Sequence, residues 1–299
     1  MKTAVVYHGY CYDGLTAAWA AWKKFRKTAT YIPGFYGAPH PTFSEPTHIY
    51  VLDFSFKPEV FDQWLSEGHK VTILDHHQSA IDMLQPYFEK NSHNRNLEAV
   101  FDNNRSGAGI AYQYFNPGKV LPRMVELVQD RDLWKFNFGN MSRHLYSYMQ
   151  FRIEFSDPIE KLFEVLDMID ESLEQPGKSP VMEKGEVLSE SYYKFCRNFA
   201  DNRAMVRIPD WHDGMSFPIL TTNKMFGSDT CSYIVKEFKT NVAGYFFLEK
   251  PGQWNWGMRS VGEYNVAELC SRYGGGGHIH AAGFILMGES PLPKGWEWV

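Results

Sequence analysis

Residues 71–77 read Val-Thr-Ile-Leu-Asp-His-His, an apolar run that ends in one carboxylate and two imidazoles. A short apolar segment reads as a buried strand, so Asp75, His76 and His77 stand where a strand surfaces. Asp and His together at such a point are ligands for a hard-to-borderline divalent cation; a hydrogen-bonded turn is the other reading. The same design recurs outward from this point. Residues 4–7 are apolar and run into a polar turn at 8–14, and residues 48–53 form a strand ending in Asp53. Residues 97–102 are a fourth strand candidate. Between these lie helices. Leu15, Ala18, Trp19, Trp22 and Phe25 recur at three- and four-residue steps, an amphipathic pattern. Residues 57–68 carry Pro58 in a first turn and Gly68 at an end. Ser106 is placed to cap a helix running through Phe115, and residues 120–128 form another, opened by Pro122. Strand, turn and helix in this order predict an α/β fold with a parallel sheet covered on both faces. Ligands in such sheets bind beyond the carboxyl ends of the strands, where all three polar clusters fall.

The remainder of the chain has a different rhythm. Residues 144–175 read as helical, and 175–180 form a Pro/Gly/Ser break. Residues 181–203 read as a long linker helix, with Val187, Leu188, Tyr192, Phe195 and Phe199 on its apolar positions. Strands and turns follow. Segments 242–250 and 253–260 flank Pro251-Gly252, a hairpin signal, and 266–273 read as a helix leading into Gly274-Gly275-Gly276-Gly277-His278. The expected domains are therefore 1–180 and 204–299, the second a smaller mixed-sheet α/β domain.

Composition sets limits on function. The chain has 299 residues, 44% hydrophobic and 22% charged, as in an ordinary soluble protein. Thirty Lys and Arg against 35 Asp and Glu leave a net charge of −5, unsuited to gripping long duplex nucleic acid. Four scattered cysteines lack metal-finger spacing, so reduced thiols in a cytoplasm are expected. The first ten residues are too short and polar for a signal peptide, and no apolar run approaches the ~18 residues of a membrane span. A homodimer is compatible with these properties.

Five clusters carry chemistry. His8 and Asp13 flank a tight turn and converge either as cation ligands or as a hydrogen-bonded turn. Asp53 is a helix cap or a ligand shared with neighbouring strands. Asp75, His76 and His77 form the third cluster. Asp130-Arg131-Asp132 is a charged helix end or the closing ligand, with Asp130 preferred and Asp132 second. In the fifth, Arg259-Ser260 and the glycine run before His278 point to backbone amides and a forked donor around phosphate. Four consecutive glycines are costly to order, which favours close approach to a ligand over a flexible loop. Several Asp and His without a cysteine set are the ligand supply of a two-metal hydrolytic centre.

These residues resemble the DHH phosphoesterase superfamily, named for the triplet at Asp75-His76-His77. The run GGGGHIHAAGF at 274–284 is similar to the signature of its associated DHHA1 substrate domain. The resemblance spans nearly the whole chain. It implies two divalent cations, Mn²⁺ or Mg²⁺, with Asp53 bridging them. It implies that His8 holds one ion and that Asp13, His76 and Asp130 hold the other. Asp75 and His77 would act just outside the metals, His77 near the leaving group. Arg259, Ser260, Gly275, Gly276, Gly277 and His278 would bind the substrate phosphate. One departure stands out: the family commonly has two Asp separated by one residue in the first motif, and here the earlier position is Cys11, a softer ligand.

Residues 204–299 hold 8 Lys and Arg against 9 Asp and Glu, which is no basic platform. A short oligonucleotide or dinucleotide is the expected substrate, with a phosphodiesterase of nano-RNase type as the expected enzyme. A bisphosphate nucleotidase or other phosphomonoesterase of the same fold is the alternative, followed by a nucleotide-binding regulator impaired by Cys11. Trp254, Trp256 and Phe226 are candidates either for base stacking or for the core.

Overall fold

The computed structural model describes residues 1–175 and 177–299, and the chain divides into two compact units, Met1–Ser189 and Glu190–Val299. Pro176, inside the break expected at 175–180, lies outside the described residues. The first unit begins with β1 (Lys2–His8), α1 (Tyr12–Phe25), β2 (Ala29–Gly34) and β3 (Thr47–Leu52). It continues with α2 (Pro58–Ser66), β4 (Lys70–Asp75), α3 (Gln78–Lys90) and β5 (Leu97–Phe101). Four helices follow: α4 (Gly107–Phe115), α5 (Arg123–Asp132), α6 (Met141–Arg152) and α7 (Ile159–Glu174).

The five strands form one sheet in the order β2-β1-β3-β4-β5, all pairs parallel. Successive strand side chains point to opposite faces, and here both faces are apolar. Val5, Tyr7, Leu52 and Leu74 pack with Trp19, Ile110, Met124 and Phe163 on one side. Val6, Ile49, Val51 and Ile73 pack with Phe61, Trp64 and Leu84 on the other. Continuous apolar runs, rather than alternating ones, are the consequence of this double burial. Trp19 is fully buried, and its indole N–H is satisfied by Asp167 Oδ1 at 2.8 Å.

Several boundaries differ from the sequence reading. β2 was not expected; it carries Pro33 and lies at the sheet edge, where a missing N–H is tolerated. α3 follows directly on His77 and contains Pro86 inside it, which masks its periodicity. Residues 144–175, read as helical, hold most of α6 and all of α7, with residues 153–158 between them. α5 begins after Pro122, which is its N-cap, and runs on through Asp132 instead of ending at Val128.

Helix α8 (Pro180–Asp201) contains the boundary between the units, at Ser189 and Glu190. The second unit then holds β6 (Ala204–Arg207), β7 (Ser216–Thr221), α9 (Lys224–Glu237), β8 (Val242–Lys250) and β9 (Gln253–Ser260). It closes with α10 (Val266–Ser271), β10 (Gly276–His278), β11 (Ala281–Met287) and β12 (Glu297–Trp298). Its sheet runs β10-β11-β9-β8-β7-β6-β12; β7 and β8 are parallel and the other pairs antiparallel. The mixed sheet matches the expectation, and Gly252 takes the left-handed turn between β8 and β9 with φ +76°. α9 was missed; it packs Cys231, Ile234 and Val235 against Ala243 and Tyr245. Trp256 is buried in the opposite core, stacked on Phe284 at 5.6 Å. Trp254 donates its indole N–H to Gly288 O, and Phe226 stacks on Tyr192 at 5.2 Å. Trp256 is thus a core residue, whereas Trp254 and Phe226 are half-buried. No helix among the described residues is long and apolar enough to cross a membrane.

The parallel sheet contains one pH-sensitive residue away from the polar edge. His48 on β3 lies 2.9 Å from Thr72 Oγ1 and stacks on Tyr50. Burial, and then the charge of Lys70, lower its pKa from 6.5 to about 4. Between these values the unfolded chain binds a proton that the folded chain does not, so stability rises with pH across that window. The stability difference between wild type and His48→Gln should be level above pH 7 and should shrink as pH falls from 6.5 to about 4. Urea titrations at stepped pH measure it, and a difference that stays flat through the window would contradict the assignment.

Candidate metal centre

The strand order fixes where a polar site can form. From β1 the chain goes to β2 on one side and then to β3 on the other, so the gap beyond β1 and β3 is the switch point of the sheet. His8 ends β1, Asp53 follows β3 and Asp75 ends β4. Cys11 is the N-cap of α1, and Asp13 lies in its first turn. Asp53 has left-handed backbone, φ 55°, which Asp tolerates better than most residues. Its N–H donates to Leu74 O at 2.8 Å, anchoring the strained residue to β4.

Two glycines permit this crowding. A Cβ on Gly107 would lie 2.4 Å from Asp53 Cβ and 2.7 Å from its Oδ1, so only glycine lets the start of α4 pass behind that carboxylate. A Cβ on Gly14 would lie 2.4 Å from His8 O. Ser106 caps α4 as expected, accepting from Gly109 N–H at 3.3 Å. The N–H of Ala108 donates to Asp13 Oδ1 at 3.2 Å, which holds Asp13 at the positive end of α4.

Asp53 is 1% exposed and presents its two oxygens in different directions. Oδ2 lies 3.3 Å from His8 Nδ1, and Oδ1 lies 3.0 Å from His76 Nε2. His76 Nε2 is also 3.5 Å from Asp132 Oδ2 and 3.9 Å from Asp13 Oδ2. Two ligand sets result, His8–Cys11–Asp53 and Asp13–His76–Asp132, each with its donor atoms within 4.8 Å of one another. Burial opposes a charge on His76, but Asp132, Asp53 and Asp13 outweigh it and raise its pKa to about 10. Burial alone would also raise the Asp53 carboxyl; the imidazoles of His76, His8 and His77 hold it well below the usual range. Asp13 moves the other way, raised by burial and by the charges of Asp53 and Asp132.

The donor set fits divalent cations. Neither Asp53 oxygen accepts an aligned hydrogen bond, and the same holds for Asp13 Oδ2 and His8 Nδ1, all of them buried. Buried carboxylate oxygens without donors are costly unless a cation or partner meets them. Oxygen and imidazole ligands suit Mn, Fe, Co or Zn, and carboxylates alone suit Mg.

Asp75 has a separate task. Its Oδ1 accepts the N–H groups of His76 and His77 at 2.7 and 3.2 Å and lies 2.8 Å from His77 Nδ1. Its Oδ2 accepts from the Ser55 hydroxyl at 2.5 Å. Burial works against ionising both partners, yet their mutual contact lowers Asp75 and raises His77. Asp75 thereby fixes the imidazole ring of His77 through Nδ1.

Asp130, the preferred closing ligand, is not in the cluster. Its carboxylate accepts from Asn137 N–H at 2.7 Å, from Phe138 N–H at 3.5 Å and from the Ser142 hydroxyl, tying α5 to the start of α6. Asp132 is there instead. Residues two apart on a helix lie about 200° apart around its axis, so α5 turns only one of the pair toward His76. Ending this helix at Val128 in the sequence reading hid that constraint.

In the second unit, Ala243, Arg259, Ala281 and His278 form one register row across β8, β9, β11 and β10. Residues in such a row share a sheet face, so Arg259 and His278 lie on the face that α9 covers in part. Arg259 donates to Ser228 Oγ at 2.5 Å and to Met258 O at 2.7 Å. Ser260 points to the other face, where its hydroxyl donates to Tyr264 O at 2.5 Å. The glycine run has a structural cause not foreseen. A Cβ on Gly275 would lie 2.1 Å from Gly283 O, and one on Gly277 would lie 2.5 Å from Ala281 O. Both glycines let the chain close on β11; Gly275 directly precedes β10, and Gly276 opens it.

No family model matches the chain. An uncharacterised protein of Acanthamoeba polyphaga mimivirus is 24% identical over 305 residues, spanning 95% of this chain and 67% of that protein. Among solved structures, a pGpG-specific phosphodiesterase, PggH, of Vibrio cholerae is similar, with 16% identity and a TM-score of 0.47. The match covers 96% of this chain and 94% of that one.

Asp130 and Asp132 can be separated by experiment. Asp132→Asn should weaken Mn²⁺ binding by at least about tenfold, as loss of a metal-site group does, with little effect on melting. Asp130→Asn should leave Mn²⁺ affinity within about twofold and cost about 1–3 kcal/mol of stability. Calorimetric titration with Mn²⁺ and urea unfolding read the two effects, and a reversed pattern would return Asp130 to the site.

Proposed function

We propose that the first unit carries a two-cation centre that hydrolyses phosphodiester bonds in short oligonucleotides or dinucleotides, in the manner of a DHH phosphoesterase. The observation that supports this reading best is the Asp53 carboxylate, whose Oδ2 faces His8 and whose Oδ1 faces His76, one member of each of two adjoining ligand sets. His8 and Asp53 would hold one ion. Asp13, Asp53, His76 and Asp132 would hold the other. Mn²⁺ suits this mixture of imidazole and carboxylate, and Mg²⁺ is the second choice. When bound, such cations supply positive charge that draws in a phosphate and offsets the charge developing on it.

The protein's own groups supply the rest. Asp75 holds His77 through Nδ1, so Nε2 is the nitrogen through which the ring exchanges a proton. The Asp75 carboxylate raises the His77 pKa against the effect of burial and so favours the protonated ring. Donating that proton to the departing ribose oxygen is the role we assign to His77. Arg259 and His278, in one row of the second sheet, form the phosphate-holding pair of the substrate unit. The near balance of charge over residues 204–299 favours a ligand with few phosphates over a long strand.

A panel of labelled oligonucleotides of increasing length, linear and cyclic dinucleotides and nucleotide bisphosphates, assayed with Mn²⁺, tests this proposal. Turnover should be greatest on the shortest diesters and should fall as length grows. Asp53→Asn should lower turnover by at least about a hundredfold, more than loss of an outer-shell partner costs, while the chain stays folded. Phosphate release from bisphosphates alone would indicate a phosphomonoesterase. Tight binding without turnover would indicate a regulator.

A further inference from the structure

Cys11 occupies a position where folding alone prefers another residue. It is the N-cap of α1, with extended backbone at φ −126° and ψ 132°. Ser, Thr, Asp and Asn are favoured there because a side-chain oxygen accepts an N–H of the first turn. The Cys11 side chain makes no well-aligned capping hydrogen bond, and a thiol facing the Gly14 N–H is a weaker cap than an oxygen would be. The other three cysteines are buried, whereas Cys11 is only partly covered. A thiol that caps its helix only weakly, at the sheet's switch point, calls for another explanation.

Its neighbours provide one. The Cys11 sulfur lies with a nitrogen of His8 and an oxygen of Asp53, all within 4.8 Å of one another. Independently of the thiol, Asp53 is 1% exposed and neither of its oxygens accepts a hydrogen bond. Its Oδ2 faces His8 Nδ1, itself buried and without a hydrogen-bond partner, at 3.3 Å. Tetrahedral sites with N, O and S bonds of about 2.0–2.3 Å place ligand atoms about 3.3–3.8 Å apart. The His8–Asp53 separation already meets that spacing, and the thiol lies within 4.8 Å of both.

We propose that Cys11, His8 and Asp53 form a thiolate-containing cation site that selects a borderline ion such as Zn²⁺ or Co²⁺ over Mg²⁺ and Mn²⁺. The two halves of the centre are then chemically unlike: one sulfur, nitrogen and oxygen, the other nitrogen and oxygen only. On binding, the sulfur–metal bond forms as the thiol proton leaves to solvent. Sulfur ligation raises preference for the softer ions. This inference rests on the cation-centre reading given above.

The test is an anaerobic Co²⁺ titration of the metal-stripped full-length chain, followed by absorption. Wild type should show visible d–d bands together with a near-ultraviolet thiolate-to-Co²⁺ charge-transfer band. Cys11→Ser should keep the d–d bands and lose the charge-transfer band. Cys11→Asp should shift the ratio of Zn²⁺ to Mn²⁺ affinity at least tenfold toward Mn²⁺. Ser and Asp are both good N-caps, so each variant supports α1. A charge-transfer band that survives in Cys11→Ser overturns the inference, as do wild-type d–d bands without one; in both cases the cation centre stands. Absence of any Co²⁺ or Mn²⁺ binding by wild type overturns the centre itself.

Discussion

The first unit is organised around the Asp53 carboxylate, held in left-handed backbone between two imidazoles. Its oxygens sit 3.3 Å from His8 Nδ1 and 3.0 Å from His76 Nε2. Everything nearby accommodates that placement. The Leu74 carbonyl anchors its amide, Gly107 clears space behind its side chain, and the strand order opens a gap beyond β1 and β3. A non-glycine residue in this conformation is strained, and such strain is retained where the surrounding structure over-determines it.

Electrostatics point in the same direction. Asp13, Asp53 and Asp132 converge on one imidazole nitrogen, within 3.0–3.9 Å. Three carboxylates share so small a volume only if positive charge lies among them or some of them hold a proton, as the raised pKa values of Asp13 and Asp132 indicate. In the protein alone, a protonated His76 supplies that charge, which is why its pKa rises. A divalent cation would displace the proton and take the same place, coupling metal affinity to pH. Asp75 stands apart from this balance, since Ser55, two backbone amides and His77 occupy its oxygens. A carboxylate so engaged is fixed in place together with the His77 ring it contacts.

Much of this was legible from residue order. Apolar runs ending in His8, Asp53 and Asp75 located three strand ends, and the parallel α/β class follows from them. The hairpin at Pro251-Gly252 was equally plain. Other features depend on angles that one-dimensional spacing does not carry. Asp130 and Asp132 differ only in which side of α5 they face, and the helix end had to be placed correctly to tell them apart. Gly107 became meaningful only once Asp53 lay against it; nothing in Ser106-Gly107-Ala108 signals a distant carboxylate. The glycine run before His278 pointed to a ligand, yet Gly275 and Gly277 are required by the close approach of this segment to β11. Edge strand β2 and the Pro-containing α3 were hidden because proline breaks the patterns by which strands and helices are recognised.

The account stands or falls on whether Asp53 joins two cations. Crystals of the full chain soaked in Co²⁺, an ion that suits both ligand sets, with anomalous scattering recorded at the cobalt edge, address this directly. The account predicts two anomalous peaks, one beside His8 and one beside His76, with an Asp53 oxygen on each. A single peak, or peaks that leave Asp53 without a metal contact, would contradict it.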